Sequence, residues 1–278
     1  MHLERLASIS EGLGFKLHWQ LKVVETGETF GQGDELELPS ASVRKISIMM
    51  AALKAVHEGR IDLAADVTIT KELQEGILSG VCQYMTPGLV IPFRDAILQM
   101  IITSDNICTF EVMRPFEIPE FTRYCRDIGM KGTTHRTRFP PTNLSAEHAL
   151  DQVTTTTNGD QVLLLDLILR GTSDEAAARR LGVSMELCAM ALQFLKWQRY
   201  REMIPGLLPT MTTVANKTGW GQRGWMDSGI VFRDERPLYI LSATTDNVPE
   251  TMPDGLPGRV AAARAIAELS RACWDFLA

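Results

Sequence analysis

The period of the apolar residues changes twice along the chain, and no other feature constrains the fold as strongly. Near the start, "FKLHWQLKVVETGETFGQGDELEL" alternates apolar and polar residues and reads as two strands around a turn at Thr26-Gly27. After Pro209, "TTVANKTGWG", "WMDSGIVFRD" and "RPLYILSATTD" read as three more strands. Between these ends the period is helical. Ile46, Met49, Met50, Leu53 and Val56 fall on one face, with Gly59 as the stop. "IPFRDAILQMIIT" puts Pro92 near a first-turn position, where its missing N–H does no harm. "IPEFTRYCRDIG", "GDQVLLLDLILRG" and "SMELCAMALQFLKWQRYREM" continue the helical pattern. A short amphipathic helix is expected over residues 2 to 11, and "GRVAAARAIAELSRACWDFL" closes the chain as another.

Strands at both ends are most simply accommodated in one shared sheet. The predicted class is therefore α/β (α+β). One antiparallel sheet is built from both chain ends and flanked by the terminal helices, with an inserted all-helical domain. The expected boundaries are residues 1–38 and 208–278 for the sheet domain and 39–207 for the helical domain. A length of 278 residues, 45% of them hydrophobic, suffices for that core. Residues 131 to 153 lack any helical period and hold Pro140 and Pro141. They are read as a long loop, and long loops inside compact domains are usually functional or disordered.

Composition removes several function classes. The net charge is −6 with no basic cluster, so nucleic acid is not the expected partner. No run approaches 18 apolar residues, so no helical membrane span is expected. The five cysteines (Cys82, Cys108, Cys125, Cys188, Cys273) show no paired spacing, which argues against a disulfide framework and a zinc site. Buried reduced thiols are expected instead. "MHLERLASISEGLGF" lacks the basic start and apolar core of a secretory signal. The expected compartment is the cytoplasm if Met1 is the native start, and the periplasm or exterior if a signal peptide was removed.

Three short motifs carry chemistry. In "SASVRKISIMM", Ser42 and Lys45 lie three apart at a helix start, so a neutral lysine amine there would share a face with a hydroxyl and take its proton. The helix dipole would favour the negative charge developing on Ser42. Thirteen serines and eight lysines give about 0.4 such pairs by chance, so the pair decides nothing alone. The plain alternative is a helix start with Ser40 or Ser42 as N-cap and Lys45 in solvent. In "IITSDNICTF", Ser104, Asp105 and Asn106 suit a turn after an apolar helix, and they also offer a second hydroxyl and an amide. In "ANKTGWG", Lys217 and Thr218 offer charge and a donor on a strand, beside a Gly219 that allows close backbone approach.

Ser-x-x-Lys, then Ser-Asp-Asn, then Lys-Thr-Gly is the signature of class A β-lactamases and penicillin-binding proteins, and the chain resembles that superfamily. "MTPGLVIPFRDAILQMIITSDN" and "TTTTNGDQVLLLDLILRG" are similar to the family's approach to its second motif and to the segment after its Ω-loop. The resemblance implies that Ser42 attacks a carbonyl carbon and forms an acyl-enzyme. Lys45 is then a candidate base. Ser104 passes the proton to the departing nitrogen, and Lys217 tunes the field. The backbone N–H groups of Ser42 and Trp220 form the oxyanion hole. Thr218 binds a substrate carboxylate beside Gly219, and Asn106 orients Lys45 or the substrate.

The match breaks in the Ω-loop. Class A enzymes place a glutamate there to activate the water that frees the acyl-enzyme. In "RTRFPPTNLSAEHAL", counting back from Thr154 puts Pro140 or Pro141 at that position, and neither is a base. Glu147 and His148 follow a few residues later and could substitute only if the loop folds differently. Trp220 is bulky where the family is usually small, and Arg223 and Trp225 nearby could shape an apolar, partly cationic pocket.

The leading expectation is a serine-acylating hydrolase of amide bonds, a β-lactam or another cyclic amide, with no cofactor, no metal and a small amide or ester as partner. The alternatives are a true β-lactamase with a relocated deacylation base, a non-hydrolysing penicillin-binding-like protein, and a peptidoglycan peptidase. The histidines (His2, His18, His57, His135, His148) are scattered, and the motif set makes a Ser-His-Asp triad unnecessary. The sequence leaves the natural substrate and the oligomeric state open.

Overall fold

In the computed structural model, which describes residues 6, 8–77, 79–139, 141 and 144–277, strands from the two chain ends share one sheet. β1 (Lys16–Val23), β2 (Thr29–Gln32), β7 (Val214–Trp220), β8 (Trp225–Arg233) and β9 (Arg236–Asp246) run in the order β2-β1-β9-β8-β7. Every pairing is antiparallel, and the register sets Lys16 opposite Asp246 and Trp220 opposite Trp225. The mixed α/β architecture and antiparallel sheet are those expected. Of residues 2 to 11, where a helix is expected, 2–5 and 7 lie outside the described residues, and 9–11 form a turn.

Alternation decides which face of β1 is covered. Leu17, Trp19, Leu21 and Val23 are buried, and the intervening residues are partly exposed. The first three join Val231, Leu241 and Ala243 and the closing helix Gly258–Leu277 in one core. The opposite sheet face, through Ala215, Met226, Ile230 and Ile240, joins the core of the central helices. The sheet therefore has an apolar layer on each side, and β8 is buried on both faces along nearly its whole length.

Nine described helices carry the chain between and beyond the strands: α1 Lys45–His57, α2 Lys71–Gly76, α3 Phe93–Ile102, α4 Asn106–Met113, α5 Ile118–Ile128, α6 Asn158–Gly171, α7 Glu175–Leu181, α8 Met185–Lys196 and α9 Gly258–Leu277. Two expectations need correction. The region between the end strands is not all helical, because β4 (Asp66–Ile69) pairs with β5 (Leu89–Pro92), and β3 (Leu38–Pro39) pairs with β6 (Thr155–Thr156). These strands are too short for period 2 to register in a sequence. Nor does α1 have one apolar face. Every residue from Lys45 to Leu53 is buried, so α1 runs through the middle of the helical core.

Candidate active site

The three motifs come from three different elements and meet at one place. Ser42 lies in a 3-10 turn, Ala41–Arg44, that leads directly into α1. This corrects the plain alternative for that stretch. Neither Ser40 nor any other side chain caps the turn or the helix, and Lys45 is 1% exposed rather than in solvent. Ala41, beside the nucleophile candidate, has φ 38°, a left-handed conformation that non-glycine residues adopt at a cost of about 1–3 kcal/mol.

Ser104 is the second strained residue of the site, at φ 55° between α3 and α4. Asp105 explains how that turn is held. Its carboxylate accepts from the backbone N–H of Cys108 (3.0 Å), capping α4, and from that of Cys82 (2.8 Å). Cys82 and Cys108 stand beside it with their sulfurs 3.5 Å apart. With Asp105 they make a buried group of three metal-type donors that sequence spacing did not suggest. The carboxylate oxygens are already taken by the two amides, so the group reads as a structural clasp under the Ser104 turn. All five cysteines are buried free thiols.

Lys45 Nζ reaches this turn from α1. It donates to Ser104 O (2.8 Å), Ser104 Oγ (3.1 Å) and Asn106 Oδ1 (2.8 Å). Lys217 Nζ reaches the same hydroxyl from β7, donating to Ser104 Oγ (3.1 Å) and to Thr218 O (2.7 Å). Ser104 Oγ thus joins two fully buried lysines. Burial, then the neighbouring charges of Lys217 and Arg44, hold Lys45 well below the ordinary lysine range. Burial likewise pulls Lys217 down to about 7, against the opposing pull of Asp227. Asp227, opposite Thr218 in the sheet, is itself pushed up to about 7 by burial. Each shift favours the neutral form of its group. As a neutral amine, Lys45 keeps two N–H donors for Ser104 O and Asn106 Oδ1, and a lone pair for an incoming proton.

Gly219 brings β7 against the Ser42 turn. A Cβ there would sit 2.9 Å from Ser42 N and 3.1 Å from Val43 N, so only glycine allows this approach. Trp220, whose backbone N–H is expected to bind an oxyanion together with that of Ser42, follows Gly219 directly. Thr218 Oγ1 is buried with no hydrogen-bond partner among the described residues. Thr218 is itself fully buried and does not line the cavity at Ser42.

A cavity of about 410 Å³ opens at Ser42, and Pro141, Leu144, Val153, Trp220, Trp225 and Met226 give it an apolar lining. Trp220 is 42% exposed and meets Tyr200 edge-on, with ring centroids 5.4 Å apart. Arg223 also lines the cavity but is not a spare cation. It binds Asp246 bidentately (2.8 and 2.7 Å) and donates to His148 O. The long loop closes the other wall. Buried Arg44 holds it by donating to Thr137 O, Arg138 O and Thr154 Oγ1, and Ser40 Oγ donates to Thr154 O. Burial lowers the Arg44 pKa to about 10. Nothing in the sequence marked Arg44, because its partners lie more than 90 residues away. Pro140 lies outside the described residues. Pro141 lines the cavity, and Glu147 is exposed and outside its wall. His148, next to it, is in the wall.

A family model described as the beta-lactamase enzyme family matches residues 3–277. By sequence, no curated protein matches the chain. Among solved structures, the chain is similar to a beta-lactamase from Sphaerobacter thermophilus (TM-score 0.83, 20% identity, covering 99% of this chain and 97% of that one). It is similar to the protein PBP-A (TM-score 0.82, 19% identity, 99% and 95% covered). It is also similar to an ancestral class A beta-lactamase (TM-score 0.81, 19% identity, 99% and 100% covered). At these identities the likeness is one of fold.

Proposed function

The chain belongs to the beta-lactamase enzyme family, and from that premise we propose that it hydrolyses an amide bond, in a β-lactam or another cyclic amide, through an acyl-enzyme on Ser42. The observation that carries this reading is the buried Lys45–Ser104–Lys217 relay beside the Ser42 turn. Ser42 Oγ attacks the carbonyl carbon and its proton passes to Lys45. The Ser42 and Trp220 N–H groups receive the oxyanion, a contribution that commonly reaches about 10²–10³ in rate per donor. The tetrahedral intermediate collapses as the C–N bond breaks. Ser104 hands a proton to the leaving nitrogen and is reprotonated through the lysines. By the family resemblance, Thr218 is the proposed partner of a substrate carboxylate, its hydroxyl having no other partner among the described residues. The apolar cavity fits an uncharged acyl side chain.

One observation favours a second reading, a protein that acylates and then holds its adduct. No carboxylate is present among the described residues lining the cavity, so the usual deacylation base of class A enzymes has no counterpart there. A mutant of PBP-A has been solved as an acyl-enzyme complex with penicillin G. Intact-protein mass after mixing with benzylpenicillin and a chromogenic cephalosporin, followed from seconds to hours alongside absorbance, separates the readings. Hydrolysis predicts drug loss with a transient adduct, and trapping predicts a lasting one. Ser42→Ala should show neither. Absence of both on the parent protein sinks the Ser42 mechanism for β-lactams.

A further inference from the structure

We propose that His148 is the base that releases the acyl-enzyme, so that this chain turns over by an imidazole where class A enzymes use a glutamate. The inference rests on the Ser42 reading above and adds the step that reading leaves without a residue. Three observations carry it. His148 lines the same cavity as Ser42 and is 7% exposed. Its Nδ1 lies 2.8 Å from Ser145 O. A carbonyl can only accept, so that contact places the proton on Nδ1 and leaves the lone pair of the neutral ring on Nε2. Nε2 is buried and has no hydrogen-bond partner among the described residues.

A buried acceptor without a partner is destabilising, and such a group in the wall of a reactive cavity is a candidate for work done there. The ring is also held in place. Ser145 O accepts from the His148 backbone N–H as well, and His148 O accepts from Arg223, itself fixed by Asp246. The loop residue is thereby fastened to Asp246 of β9 through Arg223, in the wall of the cavity that Ser42 also lines.

The step balances without any added reagent. A water entering the cavity attacks the ester carbon while Nε2 takes its proton. The new C–O bond forms, the bond from carbon to Ser42 Oγ breaks, and the proton returns to Oγ through the imidazolium or Lys45. The product is the free acid and the resting serine.

His148→Asn is the variant to test. Its side-chain amide can keep the N–H donor toward Ser145 O while removing the Nε2 base. Acylation and deacylation of the full chain by benzylpenicillin are measured separately, by stopped-flow and by the decay of the mass adduct. His148→Asn should acylate at the parent rate and deacylate about 10²–10⁴ times more slowly. Added imidazole should restore part of the loss, which a merely structural role for the ring would not allow. Equal deacylation in parent and variant overturns the proposal, as does a parent adduct that never decays. A fall in acylation equal to the fall in deacylation, with no rescue by imidazole, makes His148 a fold residue and also overturns it. Failure of the parent to acylate at all would instead overturn the Ser42 reading.

Discussion

A single absent methyl group at Gly219 lets β7 lie against the turn that carries Ser42. Adding it, in Gly219→Ala, puts a carbon 2.9 Å from a backbone nitrogen that cannot swing away. The expected result is a loss of about 1–3 kcal/mol by chemical denaturation, with slower acylation. Unchanged stability would mean that the strand and turn are further apart than described. At Lys45 the prediction concerns protons. Burial holds the amine well below the ordinary lysine range, so the neutral base is accessible without strongly alkaline solution. Acylation should therefore set in below the pH at which an ordinary lysine loses its proton, and fall as acid protonates the amine. Lys45→Ala should lower it by about 10²–10⁴ where the parent amine is neutral, with the deficit shrinking as acid protonates that amine, read as the rate of adduct formation.

At the scale of elements, the start of α4 connects stability with chemistry. Asp105 caps the helix and holds Cys82 N, while its neighbours Ser104 and Asn106 face Lys45. Asp105→Ala should cost about 1–2 kcal/mol for the cap, more for the Cys82 amide it strands, and should slow acylation by loosening the Ser104 turn. Denaturant titration with adduct kinetics checks both, and stability lost without any change in acylation would separate the cap from the site. The long helices and strands were legible because their apolar periods run for several turns or residues. The short pairs β3–β6 and β4–β5 were not, and neither was the 3-10 turn at Ser42. A turn of four residues has no period, and its conformation is fixed by Thr154 and Gly219 from elsewhere in the chain.

For the whole molecule, the sheet joins residues over 200 positions apart, and two buried titratable groups within it tie stability to pH. Lys217 has a folded pKa of about 7 against an ordinary 10.5, chiefly because it is buried. Between those values the unfolded chain binds more protons, so this lysine's contribution to stability rises with pH across that window. Asp227 acts oppositely. Its folded pKa of about 7 exceeds the ordinary 3.8, so its contribution falls as pH rises from 3.8 to 7. The parent's thermal unfolding should show an alkaline rise between pH 7 and 10 that Lys217→Met flattens, and an unchanged profile would contradict a buried, displaced lysine.

The order of the three motifs along the sequence already suggested that Ser42, Lys45, Ser104 and Lys217 belong together. What lay hidden were contacts made by loops across long separations. The Arg44 anchor, the Arg223–Asp246–His148 brace and the free Nε2 leave no trace in spacing or composition.

The most direct measurement is to map the acyl adduct by tandem mass spectrometry after benzylpenicillin and trypsin. Cleavage after Lys22 and Arg44 yields a peptide of residues 23–44, which holds both Ser40 and Ser42. The predicted result is an adduct on Ser42 alone, absent from Ser42→Ala and formed more slowly in Lys45→Ala. An adduct on Ser40, on Ser104 or on a surface lysine, or one that persists in Ser42→Ala, would contradict the assignment of the nucleophile and the mechanism built on it.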